Sequence, residues 1–103
     1  MAKLYVTEFT NQGQDRQANF MSITLEPPLV DQTPVVIGAG HLESAAFNAE
    51  TTYVRIHCDV VCSIAFGTAP VATANNRRMA ANATEYFSVP KGQSFKVSVI
   101  TNT

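Results

Sequence analysis

The sequence is poor in charge and has no excess of either sign. Charged residues make up 15% of its 103 residues, seven basic and eight acidic, and the formal net charge is −1. A typical globular chain is about 25% charged, so this chain has fewer charges with which to cover its surface. We therefore expect a partner, or copies of the same chain, to cover part of it. The alternative is a monomer with a surface rich in Ser, Thr, Asn and Gln.

Two further absences disfavour two classes of partner. Nucleic-acid binders draw most of their affinity from a basic excess that neutralises phosphate, and this chain has none. No apolar run approaches the ~20 residues that a membrane-spanning helix needs. The N-terminal MAKLYVTEFTNQGQD turns polar too early for a secretory signal. We therefore expect neither nucleic acid nor a membrane as partner, and synthesis in a reducing cytoplasm.

Cysteine is scarce, because Cys58 and Cys62 are the only two. They share one face of a predicted strand, and on a straight strand they would lie about 13 Å apart. A disulfide needs Cα atoms within about 7 Å, so a bridge would require a bend at residues 59–61. The preferred interpretation is a pair of small buried apolar side chains.

The longest regular pattern lies at 53–67, YVRIHCDVVCSIAFG. Apolar side chains occupy its even positions, whereas Arg55, His57 and Asp59 occupy odd positions. Side chains of a strand alternate between two faces, so this pattern predicts half-buried β-structure with one apolar face. The segment exceeds the usual strand length of about 3–10 residues, and a bend or break near Asp59 is therefore expected.

Shorter alternating segments between Pro and Gly turns predict further strands. They lie at 3–9, 20–26, 34–39, 84–89 and 94–101, with 44–47 as an additional candidate. The expected fold is all-β, an antiparallel β-sandwich or jelly-roll-like barrel of roughly seven to eight short strands. The polar stretch 10–19 has no periodicity and predicts a flexible connector. We therefore divide the chain into an extended N-terminal arm at 1–19 and a β-sandwich domain at 20–103.

Motifs that carry known chemistry are missing from the sequence. It has no G-x-S-x-G elbow, S-x-x-K, Gly-rich phosphate loop or H-E-x-x-H. His57 and Asp59 share a predicted face and could ligate a metal or orient a base, but only His41 and Glu43 could add further ligands. Solvated cross-strand pairing is the preferred interpretation. We expect no enzyme activity, metal or cofactor; a small metal-dependent jelly-roll enzyme is the alternative.

Two surface features suit binding. The only charge cluster in the sequence is Asn75-Asn76-Arg77-Arg78. In one interpretation, Arg77 and Arg78 bind an acidic partner surface or a phosphate. In the other, the cluster is a solvated loop tip. Tyr53 and Tyr86 lie on predicted outer faces. They are compatible with a sugar-binding platform and equally with a contact to another protein.

The segment 52–100 resembles small proteins encoded among the virion genes of tailed bacteriophages and prophages. The resemblance rests on the alternating strand around Arg55, CSIAFG followed by Pro70, EYFSV, and the turn Pro90-Lys91-Gly92. It implies a non-enzymatic capsid cement or decoration protein, made in the bacterial cytoplasm and carried in the virion. The implied partners are the major capsid protein or another virion protein, with self-association into a homo-oligomer. A head–tail (neck) or tail-associated component and a carbohydrate-binding β module are the alternatives.

The predicted N-terminal arm suggests how such a protein attaches. A strand on a flexible tether can add to the edge of a neighbouring sheet, which also covers an exposed edge. We hypothesise that four side chains of this strand pair with, or pack on, a neighbouring subunit: Leu4, Tyr5, Val6 and Phe9.

Overall fold

The computed structural model describes residues 2–14, 16–17 and 19–102, and all regular structure in them is β-strand. Eleven strands follow one another: β1 (Lys3–Phe9), β2 (Gln12–Gln14), β3 (Phe20–Thr24), β4 (Val30–Asp31), β5 (Val35–Val36), β6 (Leu42–Glu43), β7 (Tyr53–Cys58), β8 (Cys62–Gly67), β9 (Arg77–Met79), β10 (Thr84–Ser88) and β11 (Lys96–Thr101). The all-β prediction is confirmed. The additional strands are two- or three-residue ladders, such as β4 and β5 on either side of Pro34, where proline cannot extend the pairing.

Two antiparallel sheets form a β-sandwich. One has the order β10-β7-β1-β4, with β5 also paired to β1, and the other has the order β6-β11-β8-β9. The chain passes from the first sheet to the second between Cys58 and Cys62. The sequence predicted a bend or a break near Asp59, and the structure shows a break. Within the described residues no ladder joins the two sheets, which makes the fold a sandwich rather than a closed barrel. Strands β2 and β3 form a separate two-stranded hairpin.

The core lies between the two sheets and follows the alternation of the sequence. In the five-stranded sheet, Val54, Ile56 and Cys58 of β7 are 0% exposed. The four-stranded sheet contributes a matching buried set: Cys62, Ile64, Met79, Val97 and Val99. Full burial of a Val, Leu or Ile side chain contributes roughly 1.5–3 kcal/mol. Burial of the inward faces therefore holds the sandwich together.

The N-terminal strand is not an arm, and this part of the prediction is wrong. β1 pairs with β7 over six residue pairs, from Leu4↔Cys58 to Phe9↔Tyr53, and pairs with β4 and β5 on its other side. Leu4, Val6 and Phe9 are 0%, 2% and 1% exposed. Both edges of β1 are thus occupied inside its own sheet, so burial of its apolar residues stabilises the chain's own fold.

The predicted division at residues 19 and 20 is also incorrect. The stretch 10–19 contributes β2, which pairs with β3 across this boundary; Asp15 and Ala18, within that stretch, lie outside the described residues. Because β1 belongs to the sandwich and β2 to the hairpin, the chain forms one sandwich domain that carries a hairpin insertion between β1 and β4.

A buried carboxylate, Glu8, closes one end of the core. It is 1% exposed and follows Leu4 and Val6 on the inward side of β1. Its Oε1 accepts hydrogen bonds from Thr51 Oγ1 and from the Asn48 backbone N–H, both at 2.7 Å, and its Oε2 accepts one from Gln32 Nε2 at 2.7 Å. A buried carboxylate is tolerated when its lone pairs are occupied in this way. Glu8 thereby ties β1 to the segments around residues 32 and 48–51.

The two cysteines are buried at 0% exposure and are not joined by a disulfide. Burial, with a smaller contribution from the neighbouring Cys58 thiol, raises the pKa of Cys62 from its ordinary value of 9.0 to about 12. The core therefore holds Cys62 as the neutral thiol, which agrees with the interpretation of both residues as small apolar side chains.

This raised pKa predicts a loss of stability in alkali. The unfolded thiol ionises above pH 9 while the folded thiol stays protonated, so the unfolded state gains stability as pH rises from 9 towards 12. Between about pH 8 and pH 10.5, the wild-type protein should lose about 2 kcal/mol relative to Cys62→Ala. Urea denaturation of both proteins in reductant measures this difference; a difference that stays constant with pH would contradict the assignment.

Candidate binding face

The outer side of the five-stranded sheet carries a continuous set of polar and aromatic side chains. The registers of β1 with β7 and of β7 with β10 place these residues side by side, opposite to the buried even-numbered residues of β7. We call this surface the outer face, and it comprises Tyr5, Thr7, Phe9, Tyr53, Arg55, His57, Thr84, Tyr86 and Ser88.

An open depression of about 490 Å³ on the outer face is lined by Tyr5, Thr7, Arg55, His57 and Asp59. The rings of the cross-strand partners Tyr5 and His57 lie 6.0 Å apart between centroids. His57 Nδ1 is 2.8 Å from Thr84 Oγ1, and His57 Nε2 is 3.9 Å from Asp59 Oδ1. The Lys3 backbone N–H donates to Asp59 Oδ2 at 3.1 Å. Neighbouring groups thus hold the imidazole and the carboxylate in place.

The hairpin side of the outer face is packed rather than open. Phe9 stacks on Tyr53 with ring centroids 5.0 Å apart, and the Arg55 guanidinium lies 5.3 Å from the centre of the Phe9 ring. Arg55 also pairs with Glu26 at 3.3 Å. The Tyr53 hydroxyl donates to the Asn11 carbonyl oxygen at 3.0 Å, and burial raises the pKa of Tyr53. These contacts fix the segment that follows β3 onto the sheet and bury Phe9.

Strand β3 and the residue that follows it expose large apolar side chains. Met21, Ile23 and Leu25 are 43%, 57% and 45% exposed, and they occupy alternate positions, which place them on one side of an extended chain. We call these three residues the hairpin ridge. A cleft of about 260 Å³ separates β3 from the sheet and is lined in part by Ile23, Tyr53 and Tyr86. Tyr86 is itself 53% exposed.

The hairpin also has an unpaired edge. Among the described residues, β3 pairs only with β2, so the main-chain groups on its other side have no ladder partner in this chain. An exposed edge bordered by apolar side chains is a site at which a strand of another chain can pair. Edge and ridge together make the hairpin the part of the molecule best suited to contact another protein.

The structure separates the residues that the sequence grouped as a partner site. Tyr5 is 42% exposed on the outer face, whereas Leu4, Val6 and Phe9 are buried in the chain's own fold. These three are therefore removed from the predicted site.

Arg77 and Arg78 lie elsewhere, on the edge strand β9 of the other sheet, and both are exposed. Arg77 forms an ion pair with Glu85 and lies 5.0 Å from the centre of the Phe87 ring. The predicted arginine cluster is thus split, because Arg77 is engaged within the chain and only Arg78 points into solvent without a described partner.

Sequence reasoning missed the hairpin ridge as a surface. Met21, Ile23 and Leu25 alternate with Ser22 and Thr24 in the same way as the buried residues of β7 do. Period-two alternation predicts a strand with one apolar face, but it does not say what covers that face. The only local sign in the sequence that β3 lies apart from the core strands was the polar stretch before Phe20.

The two histidines are far apart in the fold. His57 lies on the outer face, whereas His41 Nδ1 is 3.3 Å from Ser98 Oγ of β11 in the other sheet. Across the described ranges, no three residues among His, Cys, Asp and Glu are arranged to hold a metal ion. The structure therefore does not bring the candidate ligands His41, Glu43, His57 and Asp59 together.

Comparisons with known proteins place this chain in no group. No family model, no curated protein and no solved structure matches it. In the part of the chain that the structure describes, no helix is long and apolar enough to cross a membrane.

Proposed function

We propose that this chain is a non-enzymatic structural protein of a tailed-bacteriophage virion, which binds and stabilises the capsid shell as a cement or decoration protein. The observation that carries the proposal is the hairpin ridge, where Met21, Ile23 and Leu25 stand 43%, 57% and 45% exposed at an unpaired strand edge. Exposed apolar patches of this kind mark surfaces that other proteins cover. The resemblance of segment 52–100 to virion proteins gives the class of partner.

The polar groups of the outer face support a binding role rather than a catalytic one. Arg55 is held by Glu26 and Phe9, and His57 by Thr84 and Asp59. Side chains held by one another on an open surface form a stable contact area, whereas a catalytic site needs groups aimed at one enclosed point. The low charge of the chain, 15%, also suits a surface that becomes covered.

The proposed partner is the major capsid protein. A strand of that protein pairs with the unpaired edge of β3, and the hairpin ridge packs on apolar side chains next to that strand. Copies of the chain would then repeat over the shell under its symmetry, which brings neighbouring copies into contact as a homo-oligomer. A head–tail or tail-associated component would use the same contacts at fewer positions.

The depression on the outer face favours a second candidate function, carbohydrate binding. Tyr5 offers an aromatic surface that is 42% exposed, and Arg55, His57 and Asp59 line the same depression with hydrogen-bonding groups. Small-molecule sites usually combine aromatic rings with a few fixed polar groups. Glycan-array binding that is lost in Tyr5→Ala and retained in Met21→Ser/Ile23→Ser would favour this function over the capsid one.

Quantitative mass spectrometry of purified particles from the phage or prophage that encodes the chain tests the proposal. We expect the protein to co-purify with the particles at a copy number comparable to that of the major capsid protein. A copy number close to that of the portal would assign it to the neck instead. Absence from particles, with the chain found only in the soluble fraction of infected cells, would contradict a virion role.

A further inference from the structure

The crossing between the two sheets brings the only two cysteines of the chain together. Cys58 is the last residue of β7 and Cys62 the first residue of β8. The chain turns between them, which removes the separation of about 13 Å that a straight strand would impose. Both side chains point into the same core cluster at 0% exposure.

Contacts with β9 place the two thiols in the same part of the core. Cys58 Sγ donates to the carbonyl oxygen of Ala80 at 3.0 Å. Ala80 follows Met79, and Met79 lies directly opposite Cys62 in the pairing of β8 with β9. The Cys58 side chain thus reaches from the five-stranded sheet towards the part of the four-stranded sheet where Cys62 is held. The nearby Cys58 thiol also contributes to raising the pKa of Cys62.

We propose that Cys58 and Cys62 are a disulfide-forming pair, with free thiols in a reducing medium and a disulfide in an oxidising one. The bond would fasten the two sheets where the chain crosses between them. This inference is independent of the proposed function, since it rests on the crossing alone.

The oxidant is a small-molecule disulfide such as oxidised glutathione. One cysteine thiolate attacks a sulfur of the oxidant, which forms a mixed disulfide and releases one reduced thiol. The second cysteine then attacks the protein sulfur of that mixed disulfide and releases the second reduced thiol. Both cysteine protons pass to solvent and then to the two released thiolates. The pair loses two electrons, which the oxidant gains.

The route to the buried thiols passes through the crossing itself. Residues 59–61 are each partly exposed, and the segment is held at its two ends by the hydrogen bonds Asp59 N–H to Lys3 O and Asn102 N–H to Val61 O, both at 3.2 Å. Opening of this short segment uncovers both sulfurs without separating the sheets. Local opening of this kind requires less free energy than global unfolding.

The test compares disulfide formation in the folded and unfolded chain. The full-length protein is equilibrated in a glutathione redox buffer with and without urea, quenched with acid, alkylated and analysed by intact mass and peptide mapping. In the folded protein we expect a single intramolecular Cys58–Cys62 bond, seen as the loss of two hydrogen atoms. Its ratio of oxidised to reduced protein should exceed that of the urea-unfolded chain by about tenfold or more.

The controls separate this bond from other oxidation. Cys58→Ala and Cys62→Ala should each give only a glutathione adduct or a covalent dimer, and dithiothreitol should restore the reduced mass of the wild type. The oxidised wild type should also melt at a higher temperature than the reduced one. A folded protein that is oxidised less readily than the unfolded chain, or that yields only adducts and dimers, would overturn the proposal.

Discussion

Replacing Glu8 with alanine is expected to lower the free energy of unfolding by about 3 to 5 kcal/mol. The substitution removes the acceptor of three hydrogen bonds, from Gln32, Asn48 and Thr51, each at 2.7 Å. The Asn48 N–H and the Thr51 hydroxyl would then be left without partners beside a core that excludes water. Each such unsatisfied group costs about 1–3 kcal/mol.

Two comparison variants test whether the hydrogen bonds carry this effect. Glu8→Gln keeps an oxygen for Asn48 and Thr51 but turns an amide N–H₂ towards the Gln32 Nε2 donor, so it should lose less stability than Glu8→Ala. Glu50→Ala removes an exposed carboxylate whose contact is Lys91 at 3.3 Å, and should change stability by less than about 1 kcal/mol. Urea denaturation measures all three; equal losses for Glu8→Ala and Glu50→Ala would contradict the role of Glu8.

If the chain binds capsids as we propose, the double substitution Met21→Ser/Ile23→Ser is expected to weaken that binding at least about 100-fold. Central apolar side chains of a protein interface are each worth about 2 kcal/mol or more when truncated, and about 2.7 kcal/mol corresponds to 100-fold in affinity. Both residues belong to the hairpin ridge and are 43% and 57% exposed. Their replacement should therefore leave the core, and the melting temperature, almost unchanged.

A matched control is available on another part of the surface. Leu42 and Val71 are 49% and 58% exposed and lie outside the hairpin, so Leu42→Ser/Val71→Ser changes a similar apolar area. Binding is measured by co-sedimentation of the purified variants with capsids that lack the chain. We expect the control to bind like the wild type. Equal weakening by both double variants, or none by either, would show that the hairpin ridge is not the contact surface.

Much of the sandwich could be predicted from local pattern. The alternation around Arg55 fixed the inward residues of β7, and the excess length of segment 53–67 indicated a bend or break near Asp59. These features could be predicted because the side-chain period of a strand is local and does not depend on its neighbours. The absence of a recognisable catalytic motif is likewise a property of the sequence alone.

The placement of β1 could not be predicted in this way. Its partner β7 lies some fifty residues further along the chain, as in the pair Leu4↔Cys58, and nothing in the local pattern of residues 3–9 names that partner. The polar stretch that follows β1 suggested a tether, but it contributes a strand of the hairpin instead. Burial of Glu8 could not be predicted either, because its hydrogen-bond partners Gln32, Asn48 and Thr51 come from segments that are distant in the sequence.

By itself the sequence determined the fold class and the strand faces around Arg55, because alternation between two faces is decided residue by residue. Only the tertiary structure decided that Leu4 and Val6 are core, that Met21 and Ile23 are surface, and that Cys58 and Cys62 share one core cluster. All six are apolar side chains on alternating strands. Which of them is covered depends on the pairing of distant strands, and pairing energy arises between segments rather than within them.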